Sequence, residues 1–168
     1  MESSRAFERD LTELLPRLRR FAHALSRNGA DADDLTQSTV ERALCSREQW
    51  QPGTRLDSWL YRIMRNLWID TSRARIRKEK NEAPEEEAQS VGNDPRGAME
   101  AAIELKRAMA AMERLPDEQR EVVALILIEG FGYREVAEML DLPIGTVSSR
   151  LVRGRTAMLA MLGGTPDG

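Results

Sequence analysis

Three arginines, Arg150, Arg153 and Arg155, stand between residues 143 and 162, a span that contains no acid. They follow the stretch YREVAEMLDLPIG, which carries no such basic excess. A packed helical hairpin has no need of that asymmetry, whereas a hairpin that presses one helix into a polyanion does. Short polar residues near the start of the second helix, Thr146, Ser148 and Ser149, precede Val152 and Arg153. Small hydrogen-bonding groups followed by arginine suit a helix lying in a DNA major groove. Gly145 and Thr146 would place a helix N-terminus, with its free amides, where a phosphate can sit. The same pattern also describes a helical hairpin with solvated arginines, so it does not decide alone.

A second basic cluster lies in TRLDSWLYRIMRNLWIDTSRARIRKEK, residues 54–80. From Arg62 to Lys80 seven bases face two acids, with Trp59, Tyr61 and Trp68 interleaved or adjacent. Rings stack on unpaired bases while guanidiniums hold the backbone, so the chemistry suits single-stranded nucleic acid. Each tryptophan taken alone reads as a core residue before a stacking one. The Arg62, Arg65 and Arg73 face is harder to explain by packing.

A third cluster, DADDLTQSTVERAL at 31–44, suggests a cation at first sight. A calcium loop counted from Asp31 needs glycine sixth and glutamate twelfth, and those positions hold Thr36 and Arg42. Calcium is rejected, and no metal or cofactor is expected. Helix capping accounts for Asp31 and part of Asp33. Asp34, Gln37, Glu41 and Arg42 remain as a mixed-charge stripe that either docks another helix or is simply solvated.

The elements that must carry these groups are helical. Apolar residues recur at helical spacing from Phe7 to Leu25, with Pro16 a kink or boundary. A second helix, capped by Asp31, carries Leu35, Val40, Ala43 and Leu44. Residues 46–58, with Pro52-Gly53, form a loop, and a long helix runs from Leu56 to about Lys80. Residues 82–94, EAPEEEAQSVGND, hold five acids and no base and are expected to be a mobile tether. Helical periodicity returns over 99–115, 118–129, 133–140 and 146–162, with Pro116 stopping one helix and Asp117 capping the next. Val136, Ala137 and Leu140 face inward from the first helix of the pair, Val147 and Leu151 from the second, and Leu142 plugs the turn. Asp141 sits in that turn where glycine is commonest.

The fold expected is all-α: a first domain over 1–80, an acidic linker over 81–97, a helix-turn-helix domain over 98–163 and a disordered tail over 164–168. The 168 residues carry a net charge of −3, too small to choose a partner, with 41% hydrophobic and 5% aromatic residues. One cysteine, Cys45, excludes an intrachain disulfide and fits a reducing compartment. It reads as a small packing residue, and the one histidine, His23, as an ordinary helix residue. Neither an apolar span of membrane length nor an apolar leader is present, so a cytoplasmic location without membrane insertion is expected. No catalytic constellation emerges, and an enzyme is not expected.

Together, in this order, the three motifs resemble a bacterial RNA polymerase sigma factor of the extracytoplasmic-function (ECF) group, in the sigma-70 family. ADADDLTQSTVERAL resembles the region 2 helix that binds the polymerase clamp helices. RLDSWLYRIMRNLWIDTSRAR resembles the segment that opens the promoter and reads its minus-ten element. LPDEQREVVALILIEGFGYREVAEMLDLPIGTVSSRLVRGR resembles region 4, which reads the minus-thirty-five element. The resemblance implies that Asp33, Asp34, Leu35, Gln37, Glu41 and Arg42 belong to the core polymerase surface. It implies that Trp50, Arg55, Asp57, Ser58, Arg62, Arg65 and Asn66 serve the minus-ten element, the loop from Trp50 to Ser58 capturing a flipped base. Thr146, Ser148, Ser149, Arg150, Val152, Arg153 and Arg155 would serve the minus-thirty-five element. Many relatives carry a base where Ser148 stands, which implies a different or weaker sequence preference. The implied partners are core RNA polymerase, promoter DNA as duplex and melted strand, and an anti-sigma factor. Glu85, Glu86 and Glu87 of the tether would mimic nucleic-acid charge in the polymerase cleft. Two other functions fit parts of the pattern: a stand-alone helix-turn-helix regulator, and a sigma-like decoy that sequesters an anti-sigma factor.

Overall fold

A computed structural model describes residues 1–26, 28–79 and 99–163, with side chains of the first long stretch described to Ala74. The tether over 82–94 and the tail over 164–168 lie outside the described residues. Among those described, all regular structure is helical: α1 (Glu2–Leu25), α2 (Gly29–Cys45), α3 (Leu56–Glu79), α4 (Met99–Glu113), α5 (Asp117–Val123), α6 (Tyr133–Leu140) and α7 (Ile144–Met161).

The first three helices pack on one another around Phe7, Leu11, Leu18, Phe21, Leu25, Leu35, Leu60 and Met64. Pro16 stands inside α1 without ending it, and the helix starts at Glu2, before the expected boundary. The cap of α2 differs from expectation. Asn28, not Asp31, accepts the Asp31 amide at 2.7 Å, and its Nδ2 donates to the Asp31 carboxylate at 2.8 Å. Asp31 is thus the third helical residue of a reciprocal capping pair, because Asn28 has the extended backbone a cap requires. Leu44 and Cys45 are exposed at the end of α2, so neither packs in the core as its apolar character suggested. Pro52-Gly53 makes a tight turn, with the Thr54 amide donating to the Gln51 carbonyl and Gly53 at φ 92°.

Helices α5, α6 and α7 build the second half around Val122, Val136, Leu140, Val147 and Leu151. Pro116, not Asp117, precedes the first turn of α5, and its carbonyl accepts from Gln119 and Arg120. The Asp117 carboxylate instead takes Arg120 Nη2 at 2.6 Å. After Val123 the helix widens into a π turn over Ala124–Ile128, where the Glu129 amide bonds to Ala124, five residues back. The expected straight helix to Glu129 is therefore replaced by a turn that swings Glu129 and Phe131 out of α-helical register.

The two halves share one continuous apolar core. Phe21 and Tyr61 of the first half stack edge-on at 4.8 Å, and Phe131 of the second meets Tyr61 at 5.2 Å. Arg120, 1% exposed, reaches across from α5 and donates to the Leu25 carbonyl at the end of α1 at 2.8 Å. A guanidinium at a helix C-terminus satisfies a carbonyl that has no partner within the helix.

Candidate nucleic-acid interface

The turn between α6 and α7 sets the recognition helix. Asp141 takes the left-handed conformation, φ 53° and ψ 52°, that glycine usually supplies. The Leu142 amide closes the turn onto the Ala137 carbonyl at 2.9 Å, and Leu142 rests on the core. Val147 and Leu151 are buried in the seam, as their spacing predicts. Behind them Gly154 faces α5 so closely that a Cβ there would lie 2.7 Å from Val123 Cγ2. Sequence reasoning passed over this residue, because glycine in a helix signals nothing without knowledge of what lies opposite.

With the seam buried, Val152, Arg153 and Arg155 stand exposed on the outer side of α7, while Thr146, Ser148 and Ser149 are half-buried. Arg150 differs from the other two arginines. Its side chain is only 20% exposed and turns back toward α5, 3.7 Å from Glu118. The helix begins at Ile144, two residues before the expected start, and the Thr146 amide donates to the Pro143 carbonyl. The first-turn amides left for an anion are thus those of Ile144 and Gly145.

On α2, Asp33, Asp34, Gln37, Glu41 and Arg42 are exposed and share the outer surface. Leu35 does not join them. It is 6% exposed and packed into the core, so it supports that stripe from beneath.

The residues expected at the minus-ten surface divide three ways. Trp50 lies apart, half-buried against Phe7 with ring centres 5.6 Å apart. Asn66 lines a cavity of about 200 Å³ together with Arg42, Gln49, Trp59 and Asp70. Trp59 and Trp68 are half-buried on the core, between the two roles the sequence left open. Arg55, Ser58, Arg62 and Arg65 face the second half instead, while Asp57 is held within its own half by Arg17 and Arg55. Arg55 donates to Glu135 at 2.8 Å and lies over the Phe131 ring at 4.9 Å. Arg62 donates to the Glu138 carbonyl at 2.7 Å, and Arg65 to Glu121 at 3.3 Å.

Beneath these pairs sits Glu129, its side chain without solvent exposure. It accepts from Arg20 at 2.8 and 2.9 Å, from Tyr61 Oη at 2.7 Å and from Arg17 at 3.4 Å. Burial alone would push its carboxyl up, but the hydrogen bonds from Arg20 and Tyr61 outweigh it and hold it below the usual glutamate range. Asp57 behaves alike: burial raises it, and the bonds from Arg55 and the Ser58 amide bring it below its ordinary value. Glu121 goes the other way, since burial outweighs the attraction of Arg65 and raises it. The Tyr61 hydroxyl is raised by burial and by its bond to Glu129, so it stays a donor. No sequence pattern pointed to Glu129, Arg17 or Arg20. The one available signal was an acid ending the apolar run ALILI.

Among the described residues no group of side chains is arranged to hold a metal, and no helix is long and apolar enough to cross a membrane. The side chains this surface presents are guanidiniums, short polar groups and a half-buried indole.

Known proteins share this organisation along most of the chain. Residues 11–81 match the family model of sigma-70 region 2, and residues 105–158 that of sigma-70 region 4. The ECF RNA polymerase sigma factor EcfG of Rhodopseudomonas palustris is 37% identical, over 91% of this chain and 83% of that protein. The ECF sigma factor SigM of Mycobacterium tuberculosis is 35% identical, over 87% and 71%. Among solved structures, the sigma factor RpoE in complex with the anti-sigma factor NepR, from Bartonella quintana, matches with a TM-score of 0.83 and 30% identity. That match covers 94% of this chain and 97% of the other. With both regions present in order and with relatives alike over most of their length, the chain belongs to the ECF sigma factors of the sigma-70 family.

Proposed function

We propose that this ECF sigma factor binds core RNA polymerase through the exposed stripe of α2 and reads promoters through α3 and α7. The observation that carries the reading of α7 is the split between its two faces. Val147 and Leu151 are buried while Val152, Arg153 and Arg155 are exposed, so the helix is held by one side and free on the other. A helix held that way enters a major groove without unfolding anything, and its arginines meet phosphate or guanine. The cavity beside Trp59, Asn66 and Arg42 accommodates a single flipped base, with a ring to stack on and an amide and a guanidinium to meet its edge. Splitting recognition between two halves makes the second contact intramolecular, so two modest sites give one selective promoter. Control by an anti-sigma factor is part of this proposal. It is supported by the likeness to RpoE in complex with NepR and to CnrH in complex with the cytosolic domain of CnrY, the latter at a TM-score of 0.69 and 25% identity.

The test is transcription by sigma-free bacterial core polymerase, supplied with the purified chain and a pool of genomic promoter fragments. Defined run-off products are expected, with Arg153→Ala reducing them about tenfold or more, the effect of one lost base contact. Asp34→Ala is expected to reduce them through weaker binding to core. Products absent while the chain still binds duplex DNA would point to a stand-alone regulator, and absence of both to a decoy.

A further inference from the structure

The three arginines of α7 are not equivalent, and what lies beside each sets the difference. Along the helical turn, Arg150 and Arg155 flank the buried seam of Val147 and Leu151 on opposite sides, while Arg153 points away from it. Arg153 and Arg155 are exposed. Arg150 lies on the side that meets α5: its side chain is 20% exposed, with Nη2 3.7 Å from Glu118 Oε2. One turn further along that side, Gly154 faces Gln119 and Val123 of the same helix. Glu121, one turn beyond Glu118, is 6% exposed. Burial raises its carboxyl, and the charges of Arg65 and Arg150 pull against that rise. We propose that Arg150 is a positioning residue: with Glu118 and Glu121 it fixes the angle of α7 on α5, and it leaves the DNA contacts to Arg153, Arg155 and the short polar residues. The anchorage rests on the contacts with α5; its consequence for promoters rests on the proposed reading of α7.

Burial decides between the two uses of this guanidinium. Glu118 is 72% exposed, and an ion pair with so exposed a partner contributes little alone. The cover over the Arg150 stem is the larger effect, since the chain lies along protein surface while its charge stays beside two acids. Reaching a phosphate would uncover that stem and take a cation away from a buried carboxylate. Arg153 and Arg155 start from solvent and need uncover nothing. A recognition helix presents several groups to the groove at once, so a small change of its angle shifts every contact together.

The test uses the full chain as wild type, Arg150→Gln, Glu118→Gln and Arg153→Gln. Duplexes selected from a random pool by the wild type give its preferred sequence. Fluorescence anisotropy then compares that duplex with a random one over a range of salt. Arg150→Gln is expected to lower the ratio of selected to random affinity about fivefold or more, spread over the whole site, with the slope of log affinity against log salt unchanged. Glu118→Gln is expected to move the ratio the same way by less, and it serves if Arg150→Gln loses its cooperative thermal transition. Arg153→Gln is the reference for direct contact, expected to reduce the slope by about 1 or to relax one position of the site. A substitution that merely destabilised the fold would weaken both duplexes alike and leave the ratio where it was. Amide exchange of α7 in the free chain, followed by mass spectrometry, is expected to quicken in Arg150→Gln and not in Arg153→Gln. For Arg150→Gln, a slope lower by about 1, relaxation at a single position, an unchanged ratio or unchanged exchange would each overturn the proposal. Wild-type protein that selects no duplex would overturn the reading of α7 instead, and exchange would still decide whether Arg150 anchors the helix.

Discussion

Gly154 shows two opposed effects at one residue. An alanine in an exposed helix is favoured over glycine by up to about 1 kcal/mol. Here the added methyl would lie 2.7 Å from Val123 Cγ2 and 3.5 Å from Gln119 Cβ, on a buried face. Overpacking of that sort costs about 1–3 kcal/mol, so the steric term wins. Gly154→Ala is therefore expected to lower the thermal midpoint, measured by circular dichroism, despite its better helix propensity. Asp141 is the converse case. Its left-handed backbone is tolerated because a short polar side chain suffers less there than a branched one.

At the scale of the element, α7 does two jobs with adjacent residues. Leu151 is 2% exposed and Val152 is 59% exposed, so one binds the helix to its own domain and the other looks outward. Leu151→Ala is expected to cost about 2–5 kcal/mol in urea unfolding, the usual range for emptying a buried leucine site. Val152→Ala is expected to stay within about 0.5 kcal/mol in the same assay, as surface changes do, and to act on promoter binding instead. Helix α3 divides its labour in the same way. Leu60, Tyr61 and Met64 are buried at helical spacing, which leaves Arg62 and Asn66 exposed along its length.

At the scale of the molecule, opposed carboxyl shifts shape stability against pH. Glu121 is raised by burial, so the folded chain takes up protons there before the unfolded chain does. Its contribution becomes more favourable as pH falls from neutral through that raised value. Glu129 and Asp57 are lowered, so their contributions hold above the ordinary carboxylate range and disappear only as pH drops through their depressed values. Stability is expected to peak mildly acid of neutral and then fall. Thermal melts of Glu121→Gln across pH are expected to lose the decline on the alkaline side while keeping the acid limb. A variant that retained that decline would remove Glu121 as its source.

Much of this protein follows from local pattern. Helical periodicity located the seven α-helices among the described residues, and the Val136–Leu140 and Val147–Leu151 spacing identified the helix-turn-helix, because burial of one face repeats every three to four residues. Charge asymmetry marked Arg153 and Arg155 as outward-facing, since arginine without acid neighbours has no local partner. Finer local choices went differently: Asn28 rather than Asp31 caps α2, and Arg150 turns back to Glu118. Leu35, which the resemblance set on the polymerase surface, is buried as its apolar type suggests, and Cys45, read as a packing residue, is exposed, as each side chain's direction depends on what packs beside its helix. What only the tertiary structure decided is how the halves meet. Glu129, Arg17 and Arg20 are 109 or more residues apart in pairs that touch. A short-range pattern carries no information about such a pair, which exists only once a π turn and a shared aromatic stack have brought the two halves together.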